Sequence, residues 1–91
     1  MRKVRIRILG GADGEPTEFD GQYVKEYDPR RWGDSPSGEP MFCHLVTTTD
    51  PAQAIAFDNL GDALKFWRWA YGMRPDGEPM RPLTHFNVEF A

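Results

Sequence analysis

The run from Asp58 to Tyr71 constrains this chain more than any other segment. Leu60, Ala63, Leu64, Trp67, Ala70 and Tyr71 recur at the i, i+3, i+4, i+7 spacing of a stripe that faces a core. The spacing predicts an amphipathic helix with more aromatic surface than one buried face needs. On an ideal helix Phe66 falls about 100° from Trp67, and Trp69 falls about 160° away. Both therefore lie outside the stripe. An aromatic side chain on that side meets another part of the fold, a partner molecule or water.

Everything else is arranged around this one helix. Ninety-one residues make one small domain, 1–91, with a single core. Hydrophobic residues at 40% and aromatics at 13% are too frequent for a disordered chain. Eight prolines and nine glycines predict long structured loops. Lys3, Arg5 and Arg7 alternate with Val4, Ile6 and Ile8, the period of a strand, which continues to Leu9 and ends at Gly10-Gly11. Tyr23 to Tyr27 reads as a second strand that Asp28-Pro29 stops. Met41 to Thr48 is apolar on both faces, as for a strand near the middle of a sheet. Thr84, Phe86, Val88 and Phe90 alternate with His85, Asn87 and Glu89 in a closing strand.

Between the third strand and the helix, Asp50-Pro51 is a cap followed by proline at the first helical position. An unbroken helix from there would throw Ile55 off the apolar stripe. A short helical turn, a kink and a second cap at Asp58 or Asn59 resolve the conflict. The expectation is an α+β fold: a four-stranded, mainly antiparallel sheet with one amphipathic helix packed on one face. Val4, Ile6, Ile8, Val24, Leu45, Val46, Leu64, Trp67, Phe86 and Val88 are expected to form most of the core.

Three blocks carry a resemblance. Gly21-Gln22-Tyr23-Val24-Lys25-Glu26-Tyr27-Asp28-Pro29, His44 through Ala54, and Arg74-Pro75-Asp76-Gly77 with Arg81-Pro82-Leu83-Thr84 resemble blocks in small uncharacterised proteins of actinobacteria and their phages. That resemblance covers most of the chain after Gly21. It implies a context, a phage or prophage accessory protein inside a bacterial host, and no reaction.

The chemistry-bearing residues form no catalytic pattern. Cys43 and His44 are consecutive, so in a regular strand they point to opposite faces and cannot act as a thiolate and its base. His85 can reach Cys43 only through tertiary structure. Asp13, Glu15, Glu18 and Asp20 lack the alternate-position ligands and distal Glu of a calcium loop. Gly10-Gly11-Ala12-Asp13-Gly14 resembles a phosphate-binding turn but lacks the Lys-Ser/Thr ending and the following helix. No cofactor, metal, small-molecule substrate or catalytic residue is therefore expected. The single Cys43 excludes an internal disulfide and fits a reducing compartment. No apolar run reaches the roughly 20 residues of a membrane-spanning helix. The charged N-terminal run does not fit a signal peptide. The expected location is the cytoplasm, that of the host bacterium if the protein is phage-encoded.

Lys3, Arg5 and Arg7 are the best basic feature and could meet nucleic-acid phosphates beside Tyr23, Tyr27 or Trp32. Against that stand a net charge of −3 and nearby Glu26 and Glu89, which offer cross-strand partners. The favoured expectation is a protein-binding module that contacts a host factor or its own copy through Phe66, Trp69 and Met73. A nucleic-acid accessory protein using the basic strand is the alternative, and a small enzyme is the second.

Overall fold

The computed structural model describes residues 3–91; Met1 and Arg2, which open the alternating N-terminal run, lie outside them. In chain order the strands are β1 (Ile6–Gly11), β2 (Tyr23–Asp28), β3 (Gly33–Asp34), β4 (Pro40–Met41), β5 (His44–Thr48) and β6 (Phe86–Phe90). The helix α1 (Leu60–Trp67) lies between β5 and β6, with 3-10 turns at Pro51–Gln53 and Pro82–His85. Four strands form one antiparallel sheet in the order β5-β2-β1-β6, while β3 and β4 pair as a small separate ribbon. This is the α+β architecture expected from the periodicities.

Alternation places Ile6 and Ile8 of β1 wholly inside, with Arg7 and Leu9 on the opposite side. Strand β2 departs from strict alternation. Its register against β5 shifts between Val24 and Glu26, and this irregularity brings both Val24 and Tyr27 to the buried face. A second shift falls between Ile8 and Gly10 opposite β6.

Strand β5 lies at a sheet edge, which corrects the expectation of a central strand. The apolar run that suggested burial divides among three destinations. Met41 belongs to β4, Cys43 and Leu45 enter the core, and Phe42 is exposed. Val46 sits opposite Glu26 and, unlike Leu45, does not pack against the core.

The segment before the helix follows the expected turn, kink and second cap. Asp50 caps the first turn by accepting a hydrogen bond from the Ala52 amide at 2.9 Å. The chain then extends across the sheet: the Ile55 amide donates to the Val24 carbonyl at 3.1 Å, and Val4 and Phe57 exchange both backbone bonds. Asn59 caps α1 through its side-chain oxygen and the Asp62 amide, 2.8 Å apart.

The helix is shorter than expected and its buried stripe is turned by about one residue. It ends at Trp67, where the Arg68 amide still reaches the Leu64 carbonyl at 3.0 Å. Ala63, Phe66 and Trp67 face inward, again an i, i+3, i+4 set, while Leu60 and Tyr71 are exposed and Leu64 stays outside the core. Angular arguments therefore do not extend to Trp69 and Tyr71, which lie beyond the helix. Trp67 is half-buried; its indole donates to the Leu83 carbonyl at 3.0 Å and its ring meets Phe90 edge-on. The buried set adds Phe19, Tyr27, Cys43, Ala63 and Leu83 to the expected residues, whereas Val4, Phe86 and Val88 are only partly buried. Among the described residues no helix is long and apolar enough to cross a membrane.

Candidate functional site

Residues 29–42 and 68–82, the two long connections, are built by backbone and short-range hydrogen bonds and reach the core through Met41 and Trp69, with Pro29 and Pro82 buried. In the first, the Ser35 amide donates to the Glu39 carbonyl at 2.8 Å and the Ser35 hydroxyl accepts from the Glu39 amide. Gly33 is required where this ribbon crosses the start of β5: a Cβ there would lie 2.8 Å from the Cys43 carbonyl oxygen. In the second, Tyr71 and Met80 pair through the Tyr71 amide, and the Arg74 amide meets the Glu78 carbonyl at 2.7 Å. Gly77 closes that turn at φ +85°, where a side chain would be strained. The Arg81 guanidinium donates to the Arg68 carbonyl and fastens the base of the loop.

The first connection is anchored inward at Arg30. Asp28 accepts from the Arg30 amide and guanidinium at 2.9–3.1 Å, and the Arg30 side chain lies 5.2 Å over the Trp69 ring. These hydrogen bonds, above all those from the Arg30 side chain, hold the Asp28 carboxyl below its ordinary value. Trp69 in turn meets Tyr27 edge-on at 5.9 Å and Phe66 at 6.0 Å, and Phe66 contacts Phe57 and Tyr27. Phe66 and Trp69, two of the three residues expected at an interface, are thus half-buried members of an internal ring cluster. Tyr27 is the fully buried member of that cluster. Its hydroxyl lies beside the Leu83 backbone without completing a hydrogen bond, and it is the one buried side-chain polar atom without a partner among the described residues.

Met73, the third expected residue, is exposed, and it has aromatic company of a different origin. Trp32 is 67% exposed, Phe42 67%, Tyr71 57% and Met73 69%. All four line one open groove of about 200 Å³ with Met80. The Trp32 and Phe42 rings pack against each other at a tilt of 56°, with centroids 4.8 Å apart. Phe42 and Met80 also border a second groove of about 400 Å³, walled by Pro40, Met41, Pro82 and Phe86, with Cys43 and His85 at its lining. No carboxylate lines either groove among the described residues. The only charged lining residue is Arg30, whose charge is matched by Asp28.

Sequence reasoning missed Trp32, Phe42, Tyr71 and Met80 as a group. Trp32 reads only as a stacking surface for the nucleic-acid alternative, Phe42 as part of a buried strand and Tyr71 as the end of the helix stripe. The available signal was weak: large aromatics sit inside Pro/Gly-rich segments that have no periodic face in which to bury them.

The basic ladder is distributed among three intramolecular partners. Lys3 pairs with Asp58, the Arg5 guanidinium donates to the Pro51 carbonyl at 2.6 Å, and Arg7 pairs with Glu89 at 3.0 Å. Glu26, the other expected partner, lies 3.2 Å from the His44 ring instead. The acidic loop is likewise engaged locally. Asp13 accepts from the Glu15 amide, and Asp20 from the Thr17 amide and hydroxyl. Among the described residues no three His, Cys, Asp or Glu side chains converge to hold a metal ion.

Cys43 and His85 do reach a common groove, through tertiary packing across the two connections, but they share no hydrogen bond. Burial pushes the Cys43 thiol up to about 11, away from the thiolate that nucleophilic chemistry needs. No family model, curated protein or solved structure matches this chain.

Proposed function

We propose that this protein is a binding module that contacts another polypeptide through the surface formed by Trp32, Phe42, Tyr71, Met73 and Met80. In the context implied by the sequence resemblance, that polypeptide is a bacterial host factor or a second copy of the chain. One observation carries the reading: four large apolar side chains, each more than half exposed, line a single groove. Aromatic and methionine side chains are the types enriched at interface centres. A contiguous apolar patch of a few hundred Å² marks an interaction site more often than isolated exposed residues do.

The nucleic-acid alternative is weaker because each cation of the ladder already has a partner within the chain. The enzyme alternative lacks an activated group, since Cys43 is buried and its thiol is held neutral.

A photo-crosslinking phenylalanine analogue in place of Trp32 tests the proposal in cells. It should capture a polypeptide, whereas the same analogue in place of exposed Lys25 on β2 should not. Equal capture from both positions, or none from position 32, would overturn it.

A further inference from the structure

The larger groove gathers soft metal-ligating side chains, and we propose that it binds a copper(I) ion through Met41, Cys43, Met80 and His85. All four line the groove of about 400 Å³ between the two connections. Cys43 is the single cysteine, and Met41 and Met80 are two of the three methionines among the described residues. The fold brings them together from distant parts of the chain. Met41 closes β4 and Cys43 precedes β5, while Met80 ends the second loop and His85 ends the 3-10 turn Pro82–His85. Cys43 and His85 alone do not make a site, and the two thioether sulfurs extend that pair to a set of four. Neither polar member is committed elsewhere. Cys43 is a free thiol, and the His85 ring has no hydrogen-bond partner among the described residues, whereas the His44 ring lies 3.2 Å from Glu26.

The donor set selects the ion. Thiolate and thioether sulfurs are soft ligands and imidazole suits copper, so together they favour copper(I). Zinc draws on thiolate, imidazole and carboxylate, and it would find only Cys43 and His85 here. Calcium and magnesium need oxygen ligands, and no carboxylate lines the groove among the described residues. The remaining walls, Pro40, Phe42, Pro82 and Phe86, are apolar and limit the access of water to a bound ion. Methionine side chains are unbranched and flexible, so both sulfurs can close on an ion by rotation without moving the backbone. As the copper–sulfur bond to Cys43 forms, the thiol proton leaves to solvent and no electron is transferred. This site is separate from the proposed polypeptide contact, since Trp32, Tyr71 and Met73 line only the smaller groove.

Anaerobic titration of the reduced full chain with Cu(I), in competition with the coloured chelator bicinchoninate, tests the site. The chain should withdraw a single Cu(I) from the chelator. Losing a ligand should weaken binding by at least about tenfold, the smallest loss usual even for outer partners of a metal site. His85→Gln, Met41→Leu, Met80→Leu and Cys43→Ser should each show this, while Met73→Leu, which alters only the smaller groove, should change nothing. His85 is exposed and Met→Leu conserves volume, so these variants keep the test decisive if Cys43→Ser disturbs the core. In methyl NMR of isotope-labelled methionine, the Met41 and Met80 signals should move on adding Cu(I) while that of Met73 stays. Zn(II) should leave all three in place. A chain that withdraws no Cu(I) would overturn the proposal. So would binding that is lost in Cys43→Ser but untouched by His85→Gln, Met41→Leu and Met80→Leu, because a bare thiol would then account for it.

Discussion

Replacing Trp69 by Ala separates an internal anchor from an interface residue, and the structure supplies the magnitude. The ring makes aromatic contacts with Tyr27 and Phe66 at 5.9 and 6.0 Å, and the Arg30 guanidinium lies 5.2 Å above it. Each aromatic pair contributes about 0.5–1.5 kcal/mol beyond burial, and the cation–π contact about 0.5–1 kcal/mol at a partly exposed site. Burial of most of the side chain adds roughly 1–2 kcal/mol. Shared partners make these contributions less than additive, so the expected loss is about 2–4 kcal/mol. That is a large share of the roughly 5–14 kcal/mol available to a 91-residue domain.

Urea unfolding followed by circular dichroism reads this directly. At a slope near 1 kcal/mol/M the midpoint should fall by roughly 2–4 M, with the slope itself unchanged. Thermal unfolding should show a drop of about 10–25 °C. Arg30→Ala should reproduce only the smaller part of the effect, because it removes the cation and leaves the rings. A loss below about 1 kcal/mol for Trp69→Ala would refute the internal assignment. It would also return Trp69 to the group of candidate contact residues.

Met73→Ser, by contrast, should stay within about 0.5 kcal/mol of the parent in the same urea assay, and Trp32→Ser should lose no more than the roughly 0.5–1.5 kcal/mol of its pair with Phe42, since both side chains are more than half exposed. Gly33→Ala should lose about 1–3 kcal/mol, because its Cβ would lie 2.8 Å from the Cys43 carbonyl oxygen and the ribbon must shift to make room. Cys43 has a folded-state pKa raised from 9.0 to about 11, so its contribution to stability should be constant below pH 9. It should then fall by up to about 1.4 kcal/mol per pH unit between pH 9 and 11, while only the unfolded thiol ionises. Tyr27, raised by burial from 10.0, should add to that decline above pH 10 and carry it to higher pH, and Cys43→Ala should remove the part between pH 9 and 10 in pH-dependent urea titrations. Fluorescence anisotropy with short duplex DNA at physiological salt should show no binding tighter than about 1 µM, and tight binding with a steep salt dependence would refute this.

Much of the fold was legible because regular elements advertise their buried faces. The alternation of Ile6 and Ile8, the capped turn at Asp50-Pro51 and the cap at Asn59 all appear where local chemistry places them. The departures have local causes that a single sequence does not display. The irregularity between Val24 and Glu26 moves Tyr27 to the buried face, a change of one residue in register that periodicity cannot register. The helix was read too long because Ala70 and Tyr71 fit its stripe by composition. Its actual end at Trp67 lets Trp69 fold back onto Tyr27. Phe19 belongs to no periodic run, yet it fills the core edge-on to Phe86, a contact with no sequence-local signal.

The same reasoning explains why the surface was harder to see than the core. Trp32 and Phe42 flank the ends of a two-stranded ribbon, Tyr71 and Met73 follow the helix, and the grooves exist only once both connections are folded. Their backbones are held without the exposed rings. The ribbon stands on the Ser35 and Glu39 bonds, the second loop on the Tyr71–Met80 and Arg74–Glu78 bonds, and the attachment to the core runs through Asp28, Arg30 and Trp69. Removing Trp32 or Met73 should therefore spare the fold, while removing Trp69 should damage it. Trp32, Tyr71 and Met73 are large, apolar and more than half exposed. Their clustering around one groove is the observation on which the proposed contact with another polypeptide rests.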